Sequence, residues 1–507
     1  MVPPGIAYPP KGDGFAMNAV QRSIVFSAAD RYGSLVLFFV ATAVLSRLLS
    51  PAEFGVYAVV NAIAVVIAAS FQEFGGGNYL IQKRELSDGD VRSAFTITLG
   101  ISGAIAVLLF VLADELSQLF GQNGLKEGIE VSALNFLLLP FSGTISALLR
   151  RDMRFGTLAI CNFASGVAVA LVSIALAIAG LSYMAPIWGA LAGNMILTLA
   201  LLVGHRNLNV LRPSLLEYRE IVGFGLYSSG VSVINVFYNL APQLFLARSL
   251  DFVSVGLYSR AINLTQVFDR LVTQVLNPVI MPAIVARRQA GEDLKTVYLQ
   301  SIELLSAAQW PFLIFAAIMA RPIIAIWLGQ TWLEIVPLVR LLCIANMALF
   351  AACLSYPVLV AVGSVRDALV SSFISLPPSL LVIFGASFLG VHAVAAAALL
   401  TLPFQAAVAI YFIGRHLQLG PRDIARALRK SALVTAATAF GVAGCAALTE
   451  AGSLASLAGI ALALCAAVLC WWLGLLLTRH PLLHQLHQAA AGLAYIIPKL
   501  RPSRSAL

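Results

Sequence analysis

The chain has 507 residues, of which 60% are hydrophobic and 11% are charged, and its formal net charge is +9. Soluble globular domains carry about 25% charged residues, so this composition excludes an ordinary soluble protein. It predicts an all-α polytopic membrane protein made almost wholly of spanning helices. Such a chain has little soluble mass in which to hold an active site, and we expect it to act within the bilayer.

The chain begins with a segment rich in Pro and Gly, MVPPGIAYPPKGDGFA, which lacks the apolar core of a cleaved signal peptide. We predict a disordered cytoplasmic terminus over residues 1–20, with Met17 as an alternative start of translation. About fourteen hydrophobic blocks follow, each near the roughly twenty residues that a helix needs to cross a bilayer core of about 30 Å. The predicted spans are 27–46, 54–72, 94–113, 131–149, 157–180, 183–203, 221–246, 254–284, 297–320, 334–356, 367–389, 391–413, 431–449 and 453–477.

Basic residues fall in every second gap between these spans. The gaps after even-numbered spans, together with both termini, hold 24 of the 32 Lys and Arg, whereas the opposite gaps hold four and the spans themselves hold four. The positive-inside rule therefore predicts that both termini lie in the cytoplasm. The same rule, with anionic lipid at that surface, accounts for the net charge of +9 without a nucleic-acid partner.

Two segments six spans apart resemble each other. The exit from the first span reads LSRLLSPAEFGVYA (Leu45–Ala58), and the exit from the seventh reads LARSLDFVSVGLYS (Leu246–Ser259). Because six is even, both copies have one orientation, which predicts parallel repeats about an axis normal to the membrane. They align without a gap at an offset of 201, with identities at Leu45/Leu246, Arg47/Arg248, Leu49/Leu250, Gly55/Gly256 and Tyr57/Tyr258.

The repeat divides the chain into two lobes of six helices each, followed by two extra helices. The predicted order is an N-lobe at 21–203, a cytoplasmic linker at 204–220, a C-lobe at 221–413, a basic cytoplasmic loop at 414–430, helices 13 and 14 at 431–477 and a cytoplasmic tail at 478–507. We expect the basic loop to contact lipid. His480, His484 and His487 have helical spacing, and we expect them in a solvated tail rather than at a metal site.

Polar side chains form stripes along three predicted spans. At about 100° per residue, the stripe on the eighth span covers an arc of about 80°. An Arg at mid-bilayer costs roughly 3 kcal/mol, so the stripes face either partner helices or a hydrated cavity, and their length favours the cavity. The members are Asn263, Gln266, Arg270, Gln274 and Asn277 on the eighth span, with Arg260 about 40° beyond them; Ser228, Ser232, Asn235, Asn239 and Gln243 on the seventh; and Ser27, Arg31 and Ser34 on the first.

Three intramembrane arginines make such a cavity favourable to anions. Arg31, Arg260 and Arg270 are suited to bind phosphate or carboxylate through forked, charge-assisted hydrogen bonds. The alternative for each is an ion pair with an intramembrane acid, namely Asp30, Asp269 or Glu303. Glu303, and with it Asp269, is also a candidate for the acid that binds and releases a proton during transport, and the alternative for Glu303 is a salt bridge to a cavity Arg.

Several chemical signatures are absent from the sequence. The chain has no G-x-x-x-x-G-K-[ST] loop for ATP, no H-E-x-x-H and no paired Cys and His at metal-ligand spacing. We therefore expect no cofactor and no metal. The longest predicted outside gap, around 114–130, is too short for the large periplasmic domain of many membrane glycosyltransferases and polymerases.

Three segments resemble the polysaccharide-transporter branch of the multidrug/oligosaccharidyl-lipid/polysaccharide flippase superfamily. They are LSRLLSPAEFGVYAVV (45–60), LIQKRELSDGDVRSAFTITLG (80–100) and LLRRDMRFGTLAICNFASG (148–166). The resemblance implies fourteen helices in two lobes around a central cavity, in the plan shared by multidrug exporters and flippases of the peptidoglycan precursor. It also implies that basic side chains on the first helices of each lobe contact an anionic lipid headgroup, and the positions that match by helix and facing side are Arg31, Arg260 and Arg270.

The resemblance implies a bacterial inner-membrane flippase, not an enzyme. It would move a polyprenyl-pyrophosphate-linked oligosaccharide to the periplasmic leaflet by alternating access, for exopolysaccharide, capsule or O-antigen assembly. Expected partners are membrane lipids and, in the same pathway, a polysaccharide polymerase and a chain-length regulator, with the flippase itself a monomer. The alternatives are a drug or organic-cation antiporter, which needs cavity acids to outweigh Arg, and a polytopic polymerase or ligase, which needs a long periplasmic loop.

Overall fold

The computed structural model describes residues 14–72, 77–83, 85–204, 208–214, 218–273, 284, 287–288, 291, 293–350, 354–450 and 456–496. The regular elements within these ranges are helices. They are α1 (Gly14–Leu48), α2 (Pro51–Gln72), α3 (Gly77–Gln82), α4 (Asp88–Phe120), α5 (Gly124–Arg151), α6 (Phe155–Ile178), α7 (Met184–Gly204), α8 (Tyr218–Ser249), α9 (Phe252–Thr265), α10 (Leu294–Ile318), α11 (Ala320–Trp327), α12 (Val336–Asn346), α13 (Ser355–Ala361), α14 (Val365–Ser387), α15 (Val391–Leu417), α16 (Pro421–Glu450), α17 (Ser456–Leu477) and α18 (Pro481–Ile496).

Twelve segments of the described chain are helical, long enough and apolar enough to cross a membrane. They correspond to twelve of the fourteen predicted spans. The other two, 221–246 and 254–284, include positions outside the described residues or side chains. The predicted class, an all-α polytopic membrane protein, is confirmed.

The chain forms two compact units. The first consists of Met1–Leu49 and Val59–Phe237, and the second of Ser50–Ala58 and Tyr238–Leu507. The first turns of α2 thus belong to the second unit, and the remainder of that helix belongs to the first.

In the first unit, α4 packs along α5, and α6 packs against both α7 and α1. The apolar contact of α5, α6 and α7 is a buried cluster of Ile145, Leu149, Leu158, Cys161 and Leu201. The segment predicted as a linker packs on α4, because Arg92 Nε donates to the Asn209 carbonyl at 3.2 Å and the Ser214 N–H donates to Thr96 Oγ1 at 2.7 Å. These contacts hold the described part of that segment, 208–214, against the first unit.

In the second unit, α10 packs along α16, α16 along α17, and α14 along α15. Helices α8, α10 and α15 each carry a proline inside, at Pro242, Pro311 and Pro403. A proline removes one backbone hydrogen bond and bends a helix. Membrane proteins tolerate this where neighbouring helices, side chains or water bond the freed backbone groups. Pro242 lines the cavity described below.

The two copies of the internal repeat begin their helices in the same way. At the start of α2, Ser50 Oγ accepts from the Glu53 N–H at 3.4 Å, and the Glu53 carboxylate accepts from the Ser50 N–H at 2.7 Å. At the start of α9, Asp251 Oδ1 accepts from the Ser254 N–H at 2.7 Å. Positions 50 and 53 become 251 and 254 at the offset of 201, so equivalent residues cap both helices.

Two glycines of the repeat meet within the second unit. A Cβ on Gly55 would lie 1.7 Å from the Phe252 carbonyl oxygen, and a Cβ on Gly256 would lie 1.9 Å from that of Pro51. At the repeat offset, Pro51 is equivalent to Phe252 and Gly55 to Gly256, so the contact is reciprocal. The local repeat is therefore a structural one, and each glycine allows one helix start to approach the other.

The predicted eighth span, 254–284, is not one regular helix. The α-helix ends at Thr265, whose Oγ1 donates to the Ile262 carbonyl at 2.8 Å, and a π-helical turn follows at Asp269–Thr273. A hydroxyl that bonds the preceding turn competes with the backbone ladder, and π turns widen a helix locally. The arc calculated for a regular helix therefore does not apply beyond Thr265.

Three other predicted segments differ from the structure. The basic loop 414–430 is mostly helical, because α15 continues to Leu417 and α16 starts at Pro421, and its basic side chains sit on those helix ends. The terminus predicted to be disordered includes residues 14–20, which belong to α1, while 1–13 lie outside the described residues. In the tail, residues 481–496 form α18, and His480 is buried rather than solvated.

Candidate functional site

The second unit contains a cavity of about 400 Å³. That volume lies within the range of about 300–1,000 Å³ that is typical of ligand pockets. Its walls come from α8, α9, the π turn, α10, α12, α14 and α15. The polar residues that line it are Tyr238, Asn239, Tyr258, Thr265, Gln266, Asp269, Thr273, Gln309, Asn346 and Thr401.

Three of the predicted site residues line this cavity, namely Asn239, Gln266 and Asp269. Two others are joined nearby, since Arg270 Nη2 donates to Asn263 Oδ1 at 3.0 Å. Arg270 is part-buried and immediately follows the cavity-lining Asp269 in the π turn. The structure thus brings an amide, a carboxylate and a guanidinium together at the end of α9.

A hydrogen-bonded layer supports the wall of the cavity. Gln405 Nε2 donates to Tyr238 Oη and lies 3.4 Å from Ser379 Oγ. On another side, Trp310 Nε1 donates to the Met347 carbonyl at 2.7 Å, just after α12 ends at Asn346. These bonds hold the cavity-lining Tyr238 in place and tie α10 to the end of α12, where Asn346 lines the cavity.

Arg260 does not line the described cavity. It is 3% exposed, and its guanidinium carbon lies 3.3 Å from the centre of the Phe54 ring and 5.5 Å from that of Trp332. Its Nε and Nη2 have no hydrogen-bond partner among the described residues. The reason is its register on α9, which turns this side chain toward the start of α2 and away from Gln266 and Asp269.

The first unit has its own cavity, of about 370 Å³, and its described lining includes none of the predicted site residues. It is rich in hydroxyl groups and includes one cation. This cation, Arg150, follows the predicted span 131–149 and is one of the 24 basic residues counted in the gaps after even-numbered spans and at the termini. Hydroxyl side chains recur along α4 and α5, and this recurrence is the sequence pattern that indicates the cavity. The polar lining consists of Thr98, Ser102, Ser142, Thr144, Ser146, Arg150 and Asn162.

Asp30 of α1 connects to this cavity through Asn162. Asn162 Nδ2 lies 3.5 Å from Asp30 Oδ2, and Ser34 Oγ lies 3.5 Å from Asp30 Oδ1. Arg31 is half-buried on the same helix. Asp30 therefore has neutral hydrogen-bonding neighbours on α1 and α6.

The remaining predicted residues are dispersed. Glu303 of α10 faces His480 and Ser431 rather than the described cavity. Asn235 is exposed on α8. The Ser232 side chain lies outside the described residues, as do Gln274 and Asn277.

Comparisons with known proteins agree with this architecture. The succinoglycan biosynthesis transport protein ExoT of Rhizobium meliloti (strain 1021) is 25% identical over 68% of this chain and 70% of its own length. The lipopolysaccharide biosynthesis protein WzxC of Escherichia coli (strain K12) is 22% identical over 61% of this chain and 63% of its own length. The chain thus spans about two thirds of each relative.

A solved structure has the same fold. The lipid II flippase MurJ, in an inward closed conformation, superposes with a TM-score of 0.69 and 11% identity, over 88% of this chain and 98% of that protein. At that identity the likeness concerns the fold alone. The family model described as "Polysaccharide biosynthesis protein" matches residues 44–337, which is more than half of the chain, and the predicted resemblance is confirmed. This multi-pass membrane protein therefore belongs to the polysaccharide biosynthesis protein family.

Proposed function

We propose that this protein is a flippase for a polyprenyl-pyrophosphate-linked oligosaccharide. It moves the repeat unit from the cytoplasmic to the periplasmic leaflet of a bacterial inner membrane, by alternating access, with both termini in the cytoplasm. The family match and the transport and biosynthesis names of the relatives support this function. The single observation that carries it is the second-unit cavity, in which amides and hydroxyls adjoin a part-buried arginine.

The cavity has the chemistry of a sugar site. Asn239, Gln266, Gln309 and Asn346 offer both donors and acceptors, which match the mixed donor and acceptor character of sugar hydroxyls. Tyr238 and Tyr258 add aromatic surface with a polar tip. A drug or organic-cation site would instead depend on acids, and Asp269 is the single carboxylate in the described lining.

Arg270 is the proposed ligand of the pyrophosphate. Its Nη2 bond to Asn263 Oδ1 is a bond to a neutral acceptor. A phosphate oxygen forms a stronger, charge-assisted bond with a guanidinium and can take two parallel bonds from it. The amide of Asn263 therefore positions Arg270 without competing strongly with an anionic ligand. We assign Arg31 and Arg150 of the first unit a supporting attraction for the same headgroup.

The cavity also suggests the coupling acid. Asp269 lines it and adjoins Arg270, so Asp269 is the stronger of the two candidates for proton coupling. Glu303 is less suited to that role because it faces His480. In the pathway, the flippase acts as a monomer and delivers its substrate to a polysaccharide polymerase with a chain-length regulator.

The test is export of polymer by a deletion strain that carries variants of Arg270. We expect Arg270→Ala to reduce surface and secreted glycan at least tenfold, because the anionic headgroup loses its forked contact, and Arg270→Lys to retain part of the export. Arg321→Ala, which removes an exposed arginine outside the described cavity, is the matched control and should export normally. Quantitative membrane immunoblots must show equal protein. Normal export by Arg270→Ala would refute the assignment.

A further inference from the structure

A buried histidine joins the tail helix α18 to other helices of the second unit. His480 lies between α17 and α18, and its side chain is 0% exposed. Its Nδ1 accepts a hydrogen bond from the Leu482 N–H at 3.1 Å. The neutral ring therefore carries its proton on Nε2, which lies 3.3 Å from Ser431 Oγ and 3.8 Å from Glu303 Oε1.

The Ser431 hydroxyl of α16, which faces the ring, makes hydrogen bonds with two groups of α10. Ser431 Oγ donates to the Glu303 carbonyl at 3.0 Å. Ser306 Oγ lies 2.9 Å from Ser431 Oγ. Ser431 Oγ can therefore accept a hydrogen bond from His480 Nε2 while it donates its own proton to the Glu303 carbonyl. The neutral imidazole completes a network that spans α10, α16 and the start of α18.

Apolar packing continues from this network. Leu482 and Leu486 of α18 pack against a buried cluster of Ala307, Val434 and Leu475, which belong to α10, α16 and α17. Trp471 Nε1 of α17 donates to the Ala307 carbonyl at 2.8 Å. The first two turns of α18 are therefore docked by one histidine and two leucines.

The cationic groups near the ring oppose a second proton. Lys430 of α16 lies close by, with its Nζ 3.4 Å from the Arg479 carbonyl, and Arg479 itself precedes the histidine. Among the described residues, the carboxylate that faces the ring is that of Glu303 of α10. The facing part of α17 is Trp471 and Leu475, which have no ionisable group. On α18, His484 bonds Gln488 and His487 contacts the Trp472 ring, so both are directed elsewhere.

We propose that His480 is a proton-operated latch, whose neutral ring docks α18 on α10 and α16 and whose protonation releases it. Burial, and then the charge of Lys430, lower the pKa of His480 from 6.5 to about 4 in the docked state. The carboxylate of Glu303 does not offset these two effects. In a released tail the ring returns to its ordinary pKa near 6.5. The docking free energy is therefore complete above pH 6.5 and declines as the pH falls from 6.5 toward 4.

These two pKa values set the size of the response. Between pH 7.5 and pH 5.0, linkage lowers the docking equilibrium constant about 30-fold. The latch makes the tail a sensor of acidification on the side of the membrane that it faces, which we expect to be the cytoplasm. It is independent of the substrate and thus adds regulation to the proposed transport.

Hydrogen–deuterium exchange of the full-length protein in lipid discs tests the latch. Amides of the first two turns of α18 should lose protection by about 30-fold between pH 7.5 and pH 5.0, after correction for the pH dependence of chemical exchange. Amides of α6 in the same sample are the internal reference and should keep their protection. His480→Gln, which has no proton to gain, should exchange equally at both pH values.

A matched control separates the latch from the other tail histidines. The double variant His484→Gln/His487→Gln removes the two exposed rings of α18 and should keep the full pH response of the wild type. Equal protection of wild-type α18 at pH 7.5 and pH 5.0 would overturn the proposal, as would a full response in His480→Gln. Because exchange reports the helix and not transport, either result leaves the flippase assignment standing.

Discussion

The two helix starts of the internal repeat share their cap positions and their glycine contact, but the copies differ in charge at a buried position that follows. Equivalent residues cap α2 and α9, and equivalent glycines make the reciprocal contact. Beyond this segment, position 59 is a buried valine, whereas its equivalent at 260 is a buried arginine. The repeat thus preserves the local fold without any charge at this position in its first copy, so the fold by itself does not require Arg260.

Burial of that arginine is costly. Two of its nitrogens have no hydrogen-bond partner among the described residues, and an unsatisfied charged donor costs more than the roughly 1–3 kcal/mol of a neutral one. The Phe54 and Trp332 rings return about 2 kcal/mol through cation–π attraction in a desolvated site. Arg260 is therefore a net liability for stability, which is typical of a residue retained for function.

The glycine pair offers the largest effect. Gly55→Ala and Gly256→Ala each place a Cβ within 2 Å of a backbone carbonyl oxygen, and a backbone cannot rotate aside as a side chain can. We expect each variant to lower the free energy of unfolding by about 3 kcal/mol or more. Thermal unfolding in detergent, followed by circular dichroism, measures the change.

The control for the glycine pair is Gly103→Ala on α4. A Cβ there meets no heavy atom within 4 Å, so the substitution should be neutral or should stabilise the helix by up to about 1 kcal/mol. The comparison fails if all three variants unfold alike. Equal losses of the free energy of unfolding in Gly55→Ala and Gly256→Ala would support the reciprocal contact.

Arg260→Met removes the buried charge that the second copy carries and the first copy lacks. The variant removes a buried, poorly satisfied charge and keeps an apolar side chain, so we expect the free energy of unfolding to stay equal or to rise by about 1–4 kcal/mol. Arg260 does not line the described cavity, but a buried charge that costs stability is expected to act in transport, so polymer export should fall about tenfold or more. The measurements are thermal unfolding and glycan export with equal membrane levels.

We expect this variant to keep or raise the free energy of unfolding but to lower export, so the two measurements together decide the role of Arg260. A less stable protein with normal export would mean that Arg260 is a structural residue held by Phe54 and Trp332. Arg248→Met removes the exposed arginine at a position where the first copy also has one, and it should alter neither stability nor export measurably.

Hydropathy and repeat spacing were sufficient to predict the helical class, twelve of the fourteen spans and the equivalent segments, because these depend on local composition. Of the predicted cavity residues, Asn239, Gln266 and Asp269 line the described cavity. Arg260 does not, since a stripe on a regular helix fixes a side chain's angle but not what lies opposite it. The π turn that follows α9 depends on side-chain bonds that a period of 100° ignores.

The predictions for Arg150 and His480 were wrong, because both were made only from the position of the residue next to a span end. Arg150 was counted as a topogenic charge at a span end, yet it lines the cavity of the first unit. His480 follows the last span, where histidines are ordinarily solvated, yet Ser431 and Leu482 enclose it. Both assignments require knowledge of which helices pack together, which no local pattern of the sequence contains.

The helix caps give the smallest effect and the most direct measure of equivalence between the copies. Ser50→Ala and Asp251→Ala each remove the side-chain acceptor for one free N–H at a helix start, and we expect each to lower the free energy of unfolding by about 1 kcal/mol. Asn123→Ala is the control, because Asn123 precedes α5 without a side-chain cap bond and should change little. Equal losses for the two caps support one structural device used twice. A loss at one cap alone would show that the copies share a sequence pattern but not its energetic role.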